Sequence, residues 1–270
     1  VAELDGELQG AAIGFELRPP NQLVVHGLPA LVAELSATLV SVAARLEDPV
    51  TSSLLAAHRS LPNVRSQLCE VPRCSPEFEL ILERGRWMQT MAPFPVVSIH
   101  RVCNSHLAEM YERTKASVAG QMGRPPDERW AWHGTRRTPP EHIFDEGFDF
   151  RMSKAGLWGF GSYFAVKASY SHDYAFQPPP VQGVQHFQII LALVCVGTSH
   201  ETRPTSETCS WRRPPQGSHS VTGVTNGSQV LVVYDRHQSV PAFVITYARP
   251  RPLLPPIAGG APYYGVVPQF

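Results

Sequence analysis

Hydrophobic and polar positions divide the chain into a first part with helical spacing and a second with strand spacing. Leu31, Leu35, Leu39, Val42 and Leu46 recur at steps of three and four, which predicts an amphipathic helix over 28–46. Asp48-Pro49 ends it, and a second short helix is expected over 50–60. Residues 1–26 show no clear period, apart from a short strand at Leu23-Val24-Val25. Ser75-Pro76-Glu77 reads as a helix start: a capping hydroxyl, a proline in the first turn and an acid beside it. Asn104 caps a further helix whose inner face is Leu107, Met110, Tyr111, Thr114 and Val118. Past Arg129 the pattern alternates or becomes continuously apolar, and strands are expected over 130–133, 187–196, 230–234 and 242–247. Thr138-Pro139-Pro140-Glu141 predicts a capping box, with Gly147 closing that short helix. Helices first and strands after predict an α+β fold, and no internal repeat interrupts it.

Composition narrows the class. The chain has 270 residues, 43% apolar and 17% charged, so it buries a real core and is not a disordered polymer. Lys+Arg and Asp+Glu both number 23, and this balance argues against a protein held to nucleic acid by its overall field. The five cysteines, Cys69, Cys74, Cys103, Cys195 and Cys209, are odd in number and match no zinc spacing. No metal is expected, and a reducing intracellular setting, nuclear or cytoplasmic, fits them best. The apolar stretch 28–42 is broken by Glu34 and is too short to span a bilayer, so no membrane partner is expected. The Pro/Gly/Tyr-rich residues 250–270 read as a loose tail. The chain starts at Val1 rather than Met, as a fragment would.

Three segments of the second part carry candidate chemistry. They are Trp132-His133-Gly134-Thr135-Arg136, then 159–165 with 169–175, and then Val230-Leu231-Val232-Val233-Tyr234-Asp235. Each alone has an ordinary reading: a turn, core tyrosines, an apolar strand. Together they resemble the catalytic domain of the poly(ADP-ribose) polymerase family, the diphtheria-toxin-like ADP-ribosyltransferases. That pattern is His-Gly-Ser/Thr, then Phe-Gly-x-Gly-x-Tyr-Phe-Ala, then Ser and Tyr eight and eleven residues past the first Tyr. Here Tyr163 is followed at those spacings by Ser171 and Tyr174. Val196-Gly197, Arg212-Arg213-Pro214-Pro215 and Val244-Ile245-Thr246-Tyr247 match as well. The resemblance covers 69–249, leaving 1–68 as a partly helical extension of unassigned role and 250–270 as the tail.

The resemblance implies two packed, mainly antiparallel sheets with flanking helices around a cleft for NAD+, which is the donor substrate. Cleaving the nicotinamide–ribose bond makes the ribose carbon oxocarbenium-like, so the site must hold the sugar and let a flat, amide-bearing base leave. By resemblance, Tyr163 and Tyr174 stack on the nicotinamide, and Gly134 offers it a backbone donor and acceptor, its missing side chain leaving that backbone approachable. Ser171 supplies a further hydrogen bond, and His133 bonds the 2′-hydroxyl of the adenosine ribose. For Thr135 a ligand role and a packing role stand side by side. The loop 148–158, with Arg151 and Lys154, falls where the family has its donor-site lid, though a solvated loop is its default reading. His100, His106, His142, His172 and His186 are assigned no role.

One departure speaks to product. Polymer-forming members place a glutamate four residues before the Tyr of the last segment, and that position is Val230 here, with Gln229 beside it. Valine can neither polarise a hydroxyl nor steady a cation. The expectation is a mono-ADP-ribosyltransferase with protein acceptors, a nucleic-acid acceptor being not indicated. Two alternatives share these residues: a silent NAD- or partner-binding module, and a polymerase that draws its carboxylate from elsewhere. Residues 1–68 are too few for a regulatory helical bundle of the kind DNA-activated members carry.

Overall fold

The computed structural model describes residues 14–18, 22–26, 66–152 and 154–249, the first two stretches as backbone only. The chain divides into two compact units, 1–53 and 54–270. The helices expected over 28–46 and 50–60, and the tail 250–270, lie outside the described residues. In the first unit β1 (Gly14–Arg18) pairs antiparallel with β2 (Gln22–His26), Glu16 opposite Val24. β2 covers the strand expected at 23–25. β1 alternates over too few residues to show a period.

In the second unit the described strands are β3 (Gln67–Glu70), β4 (Val96–Cys103), β5 (Glu128–His133), β6 (Ser162–Ala165), β7 (His186–Cys195), β8 (Ser199–Glu201), β9 (Ser220–Thr225), β10 (Ser228–Val233) and β11 (Ser239–Ala248). They run in the order β3-β4-β11-β7-β5-β6-β10-β9-β8, antiparallel throughout except for the parallel pair β8–β9. Near the middle, β5 and β6 share one register pair, Trp132 opposite Ala165. That thin join separates a five-stranded half from a four-stranded half. Phe164, Leu231 and Val233 of the smaller half pack into one buried cluster with Ala131, Ile190, Ala192, Val194 and Val244 of the larger. The fold is α+β, and where two separate packed sheets were expected the strands form one nine-stranded, mainly antiparallel sheet whose two halves pack on each other, because β5 and β6 still share a pair. The central strands of the larger half, β7 and β11, are buried along almost their whole length, as continuous apolar runs require.

Other strands were less visible in the sequence. β3 is an edge strand with three of its four residues exposed, so it is held by its backbone pairing with β4 and carries no burial signal. β9 and β10 are joined by Asn226-Gly227, both at positive φ (47° and 71°), the two-residue hairpin turn that Asn-Gly favours. That dipeptide is a sequence signal the hydrophobic pattern overlooks.

The described helices are α1 (Pro76–Arg84), α2 (Trp87–Thr90), α3 (Ser105–Met122), α4 (Glu141–Glu146) and α5 (Ala168–His172). α1 starts as expected, the Ser75 hydroxyl accepting from the Phe78 N–H. The capping box at 138–141 does not form. α4 begins at Glu141 with Pro140 as its unbonded cap, because Thr138 is held in the preceding turn: its N–H donates to the Thr135 carbonyl, and its own carbonyl accepts from the Thr135 hydroxyl. Gly147 does close this helix, at φ 76°, donating to the Ile143 carbonyl. α3 packs Leu107, Tyr111 and Val118 against Leu193, Cys195 and Val240.

Asn104 joins α3 to α4. Its Oδ1 accepts from the Leu107 N–H at 3.1 Å, and its buried Nδ2 donates to the Phe144 carbonyl at 2.9 Å. Asn104→Ala removes a helix cap and leaves a buried carbonyl short of a donor, so a loss of about 2–4 kcal/mol is expected in urea unfolding. Asn104→Ser keeps a cap acceptor without setting a charge against the Phe144 carbonyl and should recover part of that loss.

Candidate active site

The end of β5 is where the two halves part, and His133 stands there. Its Nδ1 lies 2.8 Å from the Tyr163 carbonyl on β6. A carbonyl only accepts, so Nδ1 carries the proton, and in the neutral ring Nε2 is left as an acceptor. Phe148 and Phe164 flank the imidazole, with ring centroids at 5.1 and 5.5 Å. Burial holds its pKa below the usual histidine value, the Tyr163 bond opposing only in part. At neutral pH the site therefore presents a fixed, uncharged acceptor, suited to a ligand hydroxyl.

The next residues lie on the turn that follows α5. A Cβ at Gly134 would sit 2.4 Å from the Tyr174 carbonyl oxygen and 2.7 Å from that of Ser171. Glycine is thus required by the protein's own backbone at this point, whereas the sequence reading gave its reason as approach of a ligand. Two hydrogen bonds seal the contact: the Ser171 hydroxyl donates to the Trp132 carbonyl at 3.1 Å, and the Arg136 N–H donates to the Tyr174 carbonyl at 2.7 Å. Ser171 is buried, and having spent its proton it offers lone pairs, which suits an amide N–H. The Thr135 hydroxyl donates to the Thr138 carbonyl at 2.6 Å, so its proton is committed to its own turn.

Arg136 went unassigned in the sequence. Its guanidinium carbon sits 4.5 Å from the centre of the Tyr174 ring, a cation–π contact, and Tyr170 lies against the same ring at 5.6 Å. Arg136 reaches this place at φ 56°, a backbone state that sequence does not announce. The other face of α5 is anchored in an aromatic cluster. His172 Nδ1 is 2.8 Å from the Tyr247 hydroxyl, with Phe94 and Phe187 around the imidazole. Here too a histidine given no role supports the residues on either side of it.

Tyr163 is held by the segment just before it. Its hydroxyl donates to the Gly159 carbonyl at 2.8 Å and accepts from the Trp158 N–H at 2.9 Å. Burial keeps that phenol well above its ordinary pKa, so it remains a donor. A Cβ at Gly156 would come within 2.6 Å of the ring, so Gly156 is seated directly on it. Val230 lies opposite Ala165 and Gly223 in the small half. It is 1% exposed and closed into an apolar cluster with Trp158, Val221, Val232 and Tyr234, against which Tyr163 and Trp211 pack. Arg151 is ion-paired with Asp149 at 2.6 Å, and that pairing holds the Asp149 carboxyl below its usual range. Among the described residues, no group of three or more His, Cys, Asp or Glu is placed to hold a metal, and no helix is long and apolar enough to cross a membrane.

The structure thus ties His133 to Tyr163, and Gly134 to Ser171 and Tyr174, with Val230 on the strand beside Tyr163. Comparison with known proteins points the same way. The family model for the poly(ADP-ribose) polymerase catalytic domain matches residues 75–249. A probable poly(ADP-ribose) polymerase of Dictyostelium discoideum is 29% identical over 186 residues, 67% of this chain and 52% of that protein. Human protein mono-ADP-ribosyltransferase PARP12 is 28% identical over 191 residues, covering 70% of this chain and 26% of its own length. Human PARP14, also named a protein mono-ADP-ribosyltransferase, is 24% identical over 177 residues, 64% of this chain and 10% of its own. The chain therefore spans about half the length of the first of these relatives and much less of the other two.

Two outcomes follow from the geometry. Because His133 binds its proton less readily folded than unfolded, its contribution is intact above about pH 6.5 and is lost as pH falls through the lowered folded value. His133→Gln should flatten the fall in stability between neutral and mildly acid pH, as read from urea midpoints across that range. Gly134→Ala should cost about 1–3 kcal/mol or more through overpacking against the 171–174 turn, and thermal unfolding without any ligand is enough to see it.

Proposed function

The chain belongs to the poly(ADP-ribose) polymerase catalytic-domain family, and on that premise we propose that residues 69–249 transfer a single ADP-ribose from NAD+ to protein side chains, releasing nicotinamide. The donor is bound with its nicotinamide between Tyr163 and Tyr174, its carboxamide on the Gly134 backbone and the Ser171 lone pairs. The adenosine ribose 2′-hydroxyl donates to His133 Nε2. The bond from ribose C1′ to the pyridinium nitrogen breaks, and its electron pair leaves with neutral nicotinamide. The oxocarbenium-like C1′ then gains a bond to an acceptor oxygen. A carboxylate acceptor brings its own negative charge, whereas a ribose hydroxyl needs a base to take its proton.

The observation that carries the single-transfer reading is the setting of Val230. The polymerase glutamate position is filled by a methyl-bearing side chain closed among Trp158, Val232 and Tyr234, and 220–233 contains no Asp or Glu. A silent binding module is the second reading, and the closeness of Gly156 to the Tyr163 phenol favours it, since the hydroxyl end of that ring is already covered. Incubation with labelled NAD+ followed by intact-mass analysis separates the readings. One ADP-ribose per modified site is expected. A ladder of units would overturn single transfer, and NAD+ binding without nicotinamide release would favour the silent module.

A further inference from the structure

The segment 156–160 that holds Tyr163 is itself held, on its far side, by the loop 202–213. The Thr208 hydroxyl lies 2.7 Å from the Leu157 carbonyl, and the Phe160 N–H donates to the Trp211 carbonyl at 2.8 Å. Trp158 Nε1 donates to the Thr202 carbonyl at 3.2 Å. The Arg212 guanidinium covers the Phe160 ring at 4.2 Å, and a Cβ at Gly159 would fall 2.1 Å from the Trp211 carbonyl oxygen. Every residue from Leu157 to Phe160 thus touches the other loop. Three side chains donate across the gap to a main-chain carbonyl: Trp158 to Thr202, the Cys209 thiol to Leu157 at 3.6 Å, and Thr208 to Leu157. Thr208 makes the shortest of these bonds, and it is a buried residue in an otherwise exposed stretch.

Thr208 is built for that bond. It forms a reciprocal pair with Thr205: the Thr205 N–H donates to the Thr208 hydroxyl at 2.9 Å, and the Thr208 N–H donates to the Thr205 hydroxyl at 3.2 Å. The hydroxyl has one proton, and the Leu157 carbonyl at 2.7 Å is nearer than the Thr205 carbonyl at 3.0 Å. The loop's own turn therefore orients the hydroxyl and aims its proton across the gap. From Leu157 the connection is short: Trp158 and Gly159 are the two residues that bond the Tyr163 phenol.

We propose that Thr208 is a positioning residue, latching the loop 202–213 to the segment 156–160 so that the placement of the Tyr163 ring, and with it the affinity for the nicotinamide end of the donor, is set from the 202–213 side. This rests on the function proposed above. It makes 202–213 a control surface: whatever engages that loop also alters the donor site, with no ligand atom touching Thr208. Thr208→Val keeps the shape and removes the hydroxyl, while Thr208→Ser keeps the hydroxyl and removes the methyl.

In Thr208→Val, benzamide, a nicotinamide mimic, should bind roughly three- to tenfold more weakly, as expected for one lost hydrogen bond. The KM for NAD+ should rise to match, with kcat changing less, and Thr208→Ser should restore both. Without ligand, amide exchange at Phe160 should be faster in Thr208→Val than in the parent. Unchanged benzamide affinity in Thr208→Val, or a serine variant as impaired as the valine one, would overturn the latch. If the valine variant does not fold, the parent protein decides alone: benzamide should slow exchange at the Cys209 and Trp211 amides, and no slowing would overturn the proposal. A parent that neither binds benzamide nor releases nicotinamide refutes the proposed function instead, and the ligand-free exchange at Phe160 still judges the latch.

Discussion

The backbone of 132–136 lies directly on the turn 171–174, and the rest of the cleft hangs on that contact. It is a meeting of two main chains with no side chain between them at Gly134, sealed by the Ser171 hydroxyl on one flank and the Arg136 amide on the other. Residues some forty positions apart are brought into one wall by it. The wall is also tied to the core, because α5 seats Ser171 against the Trp132 carbonyl and His172 in the aromatic cluster around Tyr247. Packing around His172 therefore sets the polar geometry at Ser171.

The second constraint is the thin join between β5 and β6. A full ladder there would satisfy backbone groups on both strands, but the register stops at Trp132 and Ala165. Just beyond it the His133 imidazole reaches across to the Tyr163 carbonyl and serves as a cross-strand tie. One side chain thus bridges the opening, fixes its own tautomer and leaves an acceptor facing outward. The same tie explains why a histidine among aromatic rings stays neutral: the bond it makes needs one proton, and burial disfavours the second.

Much of this was legible in the sequence, and the parts that were not have identifiable causes. The spacing from Tyr163 to Ser171 and Tyr174, with His133-Gly134 upstream, singled out residues that the structure does bring into contact, because they sit on short elements whose lengths the spacing preserves. The apolar runs of β7 and β11 were plain because both faces are buried. β3 was invisible because an edge strand is held by backbone bonds, which leave no trace in composition. The box at 138–141 misled because the turn from Thr135 uses the Thr138 N–H and carbonyl before the helix begins. Gly134 has a second reason that the sequence does not show, the closeness of the Ser171 and Tyr174 carbonyls, since a sequence shows that a side chain is missing but not what fills the space. Arg136 and His172 were passed over because their partners, Tyr174 and Tyr247, are set by a positive-φ backbone and by a distant strand.

The setting of Val230 limits what can replace that residue. Its methyl groups are part of a wall with Trp158, Val221, Val232 and Tyr234, and the indole of Trp158 lies over Gly223, directly across the ladder from it. A carboxylate placed there would lose its hydration among apolar neighbours, a heavy cost for a marginally stable fold. Val230→Glu alone would therefore set a buried, unpaired charge in this wall. The neighbours would have to turn polar to hold it, and each such change would weaken the wall. The polarity of this ladder position is thus set by Trp158, Val221, Val232 and Tyr234 as a unit, and replacing one residue of the five does not change it.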